Sequence, residues 1–201
     1  MAVTIKECDL YEHINEYDAI LIGTGTYCSM SQGLQRKIML NYPYVQDENM
    51  KTKYGDKKKL GTILECKESG KPTFILLYVN EGNFRPDKNK EYVSYDAVEK
   101  CLMIVNILYK NKKLASTIIG ASKFEGNGDK ERLLKIIKEN CNNIDLTLYD
   151  YEQKSRSEEM KEEYEKEKKL KETDLEAYYE AVKKRKEEAK IRRLKNGHAA
   201  Y

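Results

Sequence analysis

Phe74-Ile75-Leu76-Leu77-Tyr78-Val79 is the stretch whose reading decides the fold. Six apolar or aromatic residues in succession, with none of the polar alternation of a half-solvated strand, predict a β-strand buried on both faces. Such a strand belongs inside a sheet that helices cover on either side. Outward from it, further short β-branched runs predict strands at Val3–Cys8, Ala19–Ile22, Gly61–Cys66, Ser116–Gly120 and Ile144–Tyr149, and extend the central one to Thr73–Asn80. Between them the apolar period becomes helical. Gln32–Tyr42 places Leu34, Ile38 and Met39 on one face. Ser94–Lys110 carries Val98, Leu102, Val105 and Leu108 behind Ser94 as N-cap. Asp129–Asn140 carries Leu133, Leu134, Ile136 and Ile137 behind Asp129 as N-cap. Strands alternating with helices predict an α/β domain with a largely parallel sheet.

Charge divides the 201-residue chain. Residues 152–201 hold 15 Lys/Arg and 13 Asp/Glu, so 28 of 50 are charged, against 43 of 151 in residues 1–151. We therefore read a globular domain over 1–151 and a charged α-helical tail over 152–201. Ser155 with Glu158 and Thr173 with Glu176 have capping-box spacing. Pairs such as Glu162 with Lys166 and Glu180 with Lys184 stand at i,i+4 in the favourable order. This predicts solvated helix, as either two helices or one long helix with a weak joint near Thr173. The patch Leu175/Tyr178/Tyr179/Val182 is a candidate surface for a protein partner. The net charge is only +3, which argues against nucleic-acid binding through bulk charge. No apolar run approaches the roughly 18 residues that a membrane span needs. Residues 1–7 lack the features of a secretory signal. Cys8, Cys28, Cys66, Cys101 and Cys141 are odd in number and unpaired in spacing, as expected of reduced thiols in a cytoplasmic protein, with the nucleus left open. No metal site or cofactor is expected, since only His13 and His198 are available beside these scattered cysteines.

Two strand-to-helix loops are candidates for holding phosphate. The first, Gly23–Leu34, is rich in small residues and opens a helix, whose free N–H groups favour an anion. The second, Ala121–Asp129, has the same placement. Neither carries a P-loop lysine or a dinucleotide-binding glycine pattern.

The order of these features resembles the macro domain family, in particular its branch of ADP-ribose 1''-phosphate phosphatases and terminal ADP-ribose glycohydrolases. Cys8-Asp9-Leu10 is similar to the family's G-D-I, and Asp18-Ala19-Ile20-Leu21 to its D-A-I-V strand. Met30-Ser31-Gln32-Gly33-Leu34 stands where the branch has M-G-x-G-[IV]. Tyr42-Pro43 and Lys59-Leu60-Gly61 resemble later landmarks, and Ile118-Ile119-Gly120 with Phe124–Asp129 falls where the second phosphate loop belongs. The resemblance spans residues 3–150. It implies a three-layer α/β/α domain with a mixed, largely parallel sheet, binding ADP-ribose or an ADP-ribosylated substrate. Asp9 and Leu10 would meet the adenine. Gly23, Gly25, Ser31, Gly33 and Leu34 would form the first phosphate loop. Ser122, Phe124, Gly126 and Gly128 would close on the phosphates and distal ribose.

Several positions depart from the branch. The asparagine for the distal ribose falls near Gly25, the first glycine of M-G-x-G is Ser31, and the small residue after Leu34 is Gln35. The lysine used by the glycohydrolases is missing from Tyr78-Val79-Asn80-Glu81-Gly82. Hydrolysis would then need another base, with Glu81, Glu125 and Asp129 as candidates. Cys28 as nucleophile lacks a histidine nearby in sequence and reads rather as a buried structural thiol. Three functions stay open: an ADP-ribose-binding module, a hydrolase of ADP-ribose 1''-phosphate or ADP-ribosyl-protein, and an inactive structural protein that binds partners through its tail.

Overall fold

In a computed structural model, the described residues are 3–82, 90–122, 125–151, 156–175, 177–180, 182–184 and 187. The strands are β1 (Val3–Lys6), β2 (Ala19–Gly25), β3 (Ile63–Cys66), β4 (Phe74–Asn80), β5 (Lys113–Thr117) and β6 (Asp145–Tyr149). The helices are α1 (Gly33–Asn41), α2 (Pro43–Lys51), α3 (Tyr95–Leu108), α4 (Lys130–Asn140) and α5 (Arg156–Thr173). The sheet runs β1-β6-β5-β2-β4-β3, parallel throughout except for β3, which lies antiparallel to β4 at the edge.

All seven residues of β4 are buried, as its unbroken apolar run requires. Successive side chains point to opposite faces. Ile75, Leu77 and Val79 join β2's Ala19 and Leu21 in a core covered by α3 and α4, through Val98, Leu102, Val105, Leu133 and Ile137. Phe74 and Leu76 join Ile20 and Ile22 in a second core, covered by α1 and α2 through Leu34, Ile38 and Val45, and by Leu10 and Ile14 of a 3-10 helix. The three layers follow from this two-faced burial. Each large side chain so buried stabilises the fold by about 1.5–3 kcal/mol.

Ser94 and Asp129 cap α3 and α4 through their side chains, accepting from Ala97 N–H and Arg132 N–H respectively. One expected strand shifts, and one helix had no expectation. The strand expected at Ser116–Gly120 lies at Lys113–Thr117, paired with Asp145–Tyr149 and Ala19–Leu21. Ile118 and Ile119 are buried but follow the strand, since the chain turns at Gly120, where φ is +82°. The helix α2, which begins at Pro43 as its first residue, carries only Val45 and Asn49 into the interior and so shows no sequence period.

Residues 1–153 and 154–201 form separate compact units. In the second, the break after α5 is capped by Asp174, which accepts from Ala177 N–H at 3.0 Å. Thr173, expected as the cap, instead donates its hydroxyl back to Lys169 O within α5. The expected cap Ser155 lies outside the described residues. Among the described residues no helix is long and apolar enough to cross a membrane. Every residue of both cores lies within 3–149. Deleting residues 154–201 is therefore expected to leave the melting temperature of the remainder within about 4 °C, equivalent to ~1 kcal/mol. Loss of a cooperative thermal transition would show that the tail completes a core.

Candidate functional site

The first candidate loop begins where β2 ends. Gly23 lies in β2 with no room for a side chain: a Cβ there would stand 3.2 Å from Ile119 Cγ2 and 3.3 Å from Glu125 Oε2. The chain then turns through Thr26–Gln32 into α1. Gly33 takes a left-handed φ of +48°, which glycine adopts without the penalty a side chain incurs. Gln32, at the N-cap position, makes no side-chain capping bond, and the first turn carries no acidic residue. Among the described residues, neither the N-cap side chain nor a first-turn carboxylate accepts from the opening N–H groups of α1, at the positive end of the helix dipole.

These groups open into a cleft of about 370 Å³. Gln32, Gly33, Leu34 and Gln35 form one wall. The opposite wall is Thr117, Ile118, Ala121, Ser122, Glu125 and Asn127, and Lys130, Tyr149, Asp150 and Tyr151 complete the lining. The cleft sits beyond the carboxyl ends of β5 and β6, where parallel α/β sheets hold ligands. Lys130 Nζ and Asp150 Oδ2 pair within it at 2.5 Å.

The second loop is wound around Glu125. The N–H groups of Glu125, Gly126 and Asn127 all donate to Ser122 O, at 2.9, 3.1 and 2.9 Å, and Gly128 N–H donates to Gly120 O. Glu125 Oε2 accepts from Gly120 N–H at 3.2 Å and Oε1 from the Thr117 hydroxyl at 3.5 Å. The residue is 4% exposed. Burial pushes its carboxyl up to about 7, against the opposing pull of the Gly120 N–H and the Thr117 hydroxyl. A carboxyl so poised can give or take a proton near neutrality.

Of the expected site residues, Gly33, Leu34, Ser122 and Glu125 meet in the cleft, with Gly23 beside Glu125. Phe124 lies outside the described residues. The others do not line the cleft. Glu81 is exposed and paired with Lys57 at 3.0 Å, and Asp129 caps α4; neither lines the cleft. Asp9 accepts from Tyr11 N–H and Lys37 Nζ, at 3.0 and 2.8 Å, and Leu10 is a core side chain. Ser31 bonds Ser29 by its hydroxyl, and Gly25 abuts Asn80. Gly126 and Gly128 have a packing role: a Cβ on either would come within 2.8 Å of Val93, and their N–H groups are already used inside the loop.

Thr117, Lys130, Tyr149, Asp150 and Tyr151 also line the cleft, outside the residues expected from sequence. A signal existed for the first and the last three, since residues at the ends of parallel strands border such clefts. Gln35, noted only as a departure, is buried and donates to Gly23 O at 2.6 Å, tying α1 to β2.

No family model matches the sequence, and no curated protein matches it. Solved structures do match in three dimensions. A protein of unknown function from Bacteroides thetaiotaomicron superposes with a TM-score of 0.59 at 17% identity, over 75% of this chain and 98% of its own. The macrodomain of Thermus aquaticus DarG gives 0.56 at 12% identity, over 74% and 98%. The chain has the macrodomain fold. Thermosipho africanus DarTG, solved in complex with ADP-ribose, matches this macrodomain-fold chain at 0.53 and 15% identity, over 72% of it and 40% of the DarTG chain.

Proposed function

We propose that the cleft between α1 and the Ala121–Asp129 loop binds ADP-ribose or an ADP-ribosyl derivative. The observation that carries this reading is the uncapped start of α1, opening with Gly33 and Leu34 into a cleft at the carboxyl ends of parallel strands. A pyrophosphate there would accept N–H groups at the positive end of the helix. The fold shared with a protein solved with ADP-ribose supports the same ligand class.

Glu125 supports a second step, hydrolysis of the bound ADP-ribosyl group. As the carboxylate it would take a proton from an attacking water, and as the acid it would protonate a leaving oxygen.

Titration calorimetry with ADP-ribose tests the binding. Saturable heat is expected from the parent. Gly33→Asp, which sets a carboxylate where the phosphates would lie and is among the side chains that enter left-handed backbone at least cost, is expected to weaken binding tenfold or more, about 1.4 kcal/mol. No heat from the parent at millimolar ADP-ribose would overturn the proposal. Unchanged affinity in the folded variant would move the ligand elsewhere.

A further inference from the structure

Four of the five cysteines are buried; Cys8 alone is partly exposed. Burial pushes the Cys66, Cys101 and Cys141 thiols up to about 12, and Cys28 is 2% exposed. Cys8 stands between β1 and the 3-10 helix Leu10–Glu16, which Asp9 caps. In a helix of that type residues three apart share a face, so His13 and Glu16 fall together. His13 Nδ1 is 2.6 Å from Glu16 Oε1, and His13 Nε2 is 3.7 Å from Cys8 Sγ. The imidazole also stacks on Tyr149, with 5.4 Å between centroids and 27° between planes.

A carboxylate only accepts, so in the neutral imidazole Nδ1 carries the proton and the lone pair of Nε2 faces the thiol. Nucleophile, base and orienting carboxylate are arranged in that order, and the stack on Tyr149 holds the ring between them. This is the grouping that activates a thiol. His13 and Glu16 are reachable from solvent, with side chains 30% and 50% exposed.

We propose that Cys8 is a reactive thiol that forms mixed disulfides with small-molecule disulfides. His13 Nε2 takes the proton from Cys8 Sγ. The sulfur attacks one sulfur of the disulfide, a new S–S bond forms, and the old one breaks. The departing thiolate takes the proton back from His13. The incoming disulfide is the oxidant, and one of its halves leaves as the reduced thiol. Neither ADP-ribose binding nor its hydrolysis enters this inference.

The full chain, reduced and then mixed with oxidised glutathione at pH 7, tests it by the rate of adduct formation in mass spectrometry. One adduct is expected, on the peptide carrying Cys8, and Cys8→Ser abolishes it while leaving the other four thiols in place. His13→Gln is expected to slow it tenfold or more, and Glu16→Gln, at an exposed position harmless to folding, severalfold. An adduct that survives in Cys8→Ser would overturn the proposal. So would parent rates in both the His13 and Glu16 variants, which would reduce Cys8 to an exposed but unassisted thiol.

Discussion

Glu125→Gln is expected to make the protein more stable than the parent at pH 8 and nearly equal to it at pH 5. Burial raises the folded-state pKa of Glu125 from 4.5 to about 7. Between those values the folded state binds more protons than the unfolded state, so stability falls as pH rises through the window and stays lowered above it. A displacement of that size corresponds to about 3 kcal/mol. Glutamine never ionises, and its carbonyl oxygen can still accept from Gly120 N–H, so it escapes the penalty. Urea melts of both proteins across pH 5–8 measure the difference directly. Parallel curves for parent and variant would show that Glu125 is ionised in the fold without penalty. The same substitution is expected to reduce any ADP-ribosyl hydrolysis 100-fold or more, the usual scale for a lost acid–base group. Gained stability with lost turnover would mark a carboxyl kept buried for its chemistry.

The layers of the domain were legible because their cause is local. The run Phe74–Val79 requires cover on both faces, and the periods behind Ser94 and Asp129 supply helices that cap where those residues predict. What escaped was the pairing of distant segments. Lys113-Leu114-Ala115 gives little strand signal, yet parallel neighbours on both sides hold it as β5. The candidate site was legible in its two loops and obscure within them. Glu125 is one acidic residue among several in sequence, and only the winding of the loop around Ser122 O and Gly120 N–H buries it and turns it to the cleft. Glu81 and Asp129 are as acidic and stand in similar loops, but an ion pair with Lys57 and a helix cap account for them. Lys130 and Asp150 are 20 residues apart and meet only in the fold.

Asn80 reaches from β4 into the space beside Gly25 on the neighbouring strand, and this leads to the second large effect. The resemblance to macro domains places an asparagine near this position. In the structure a Cβ on Gly25 would stand 2.5 Å from Asn80 Oδ1 and 3.1 Å from Gly82 Cα. Gly25 and Asn80 are partners in the β2–β4 register, and the Asn80 amide fills the space from across the sheet. That amide is fixed at both ends. Nδ2 donates to Glu125 O at 2.6 Å, and Oδ1 accepts from Gly82 N–H at 2.7 Å. The Asn80 backbone oxygen also accepts from Thr26 N–H. Asn80 thus joins both loops of the cleft. Gly25→Asn must displace the amide and its bonds to the buried Glu125 O, at about 1–3 kcal/mol when left unpaired, and to the part-buried Gly82 N–H, at less. A loss of about 3 kcal/mol is expected, with a drop in melting temperature of about 10 °C. Asn80→Gly empties the same space and breaks the same two bonds. If one amide in that space is what the site requires, Gly25→Asn with Asn80→Gly is more stable than either single change, by about 1–2 kcal/mol. Denaturant melts of the four proteins measure it. A double variant no more stable than Asn80→Gly alone would mean that the amide must be anchored on β4, because only from there does it reach the loop that holds Glu125.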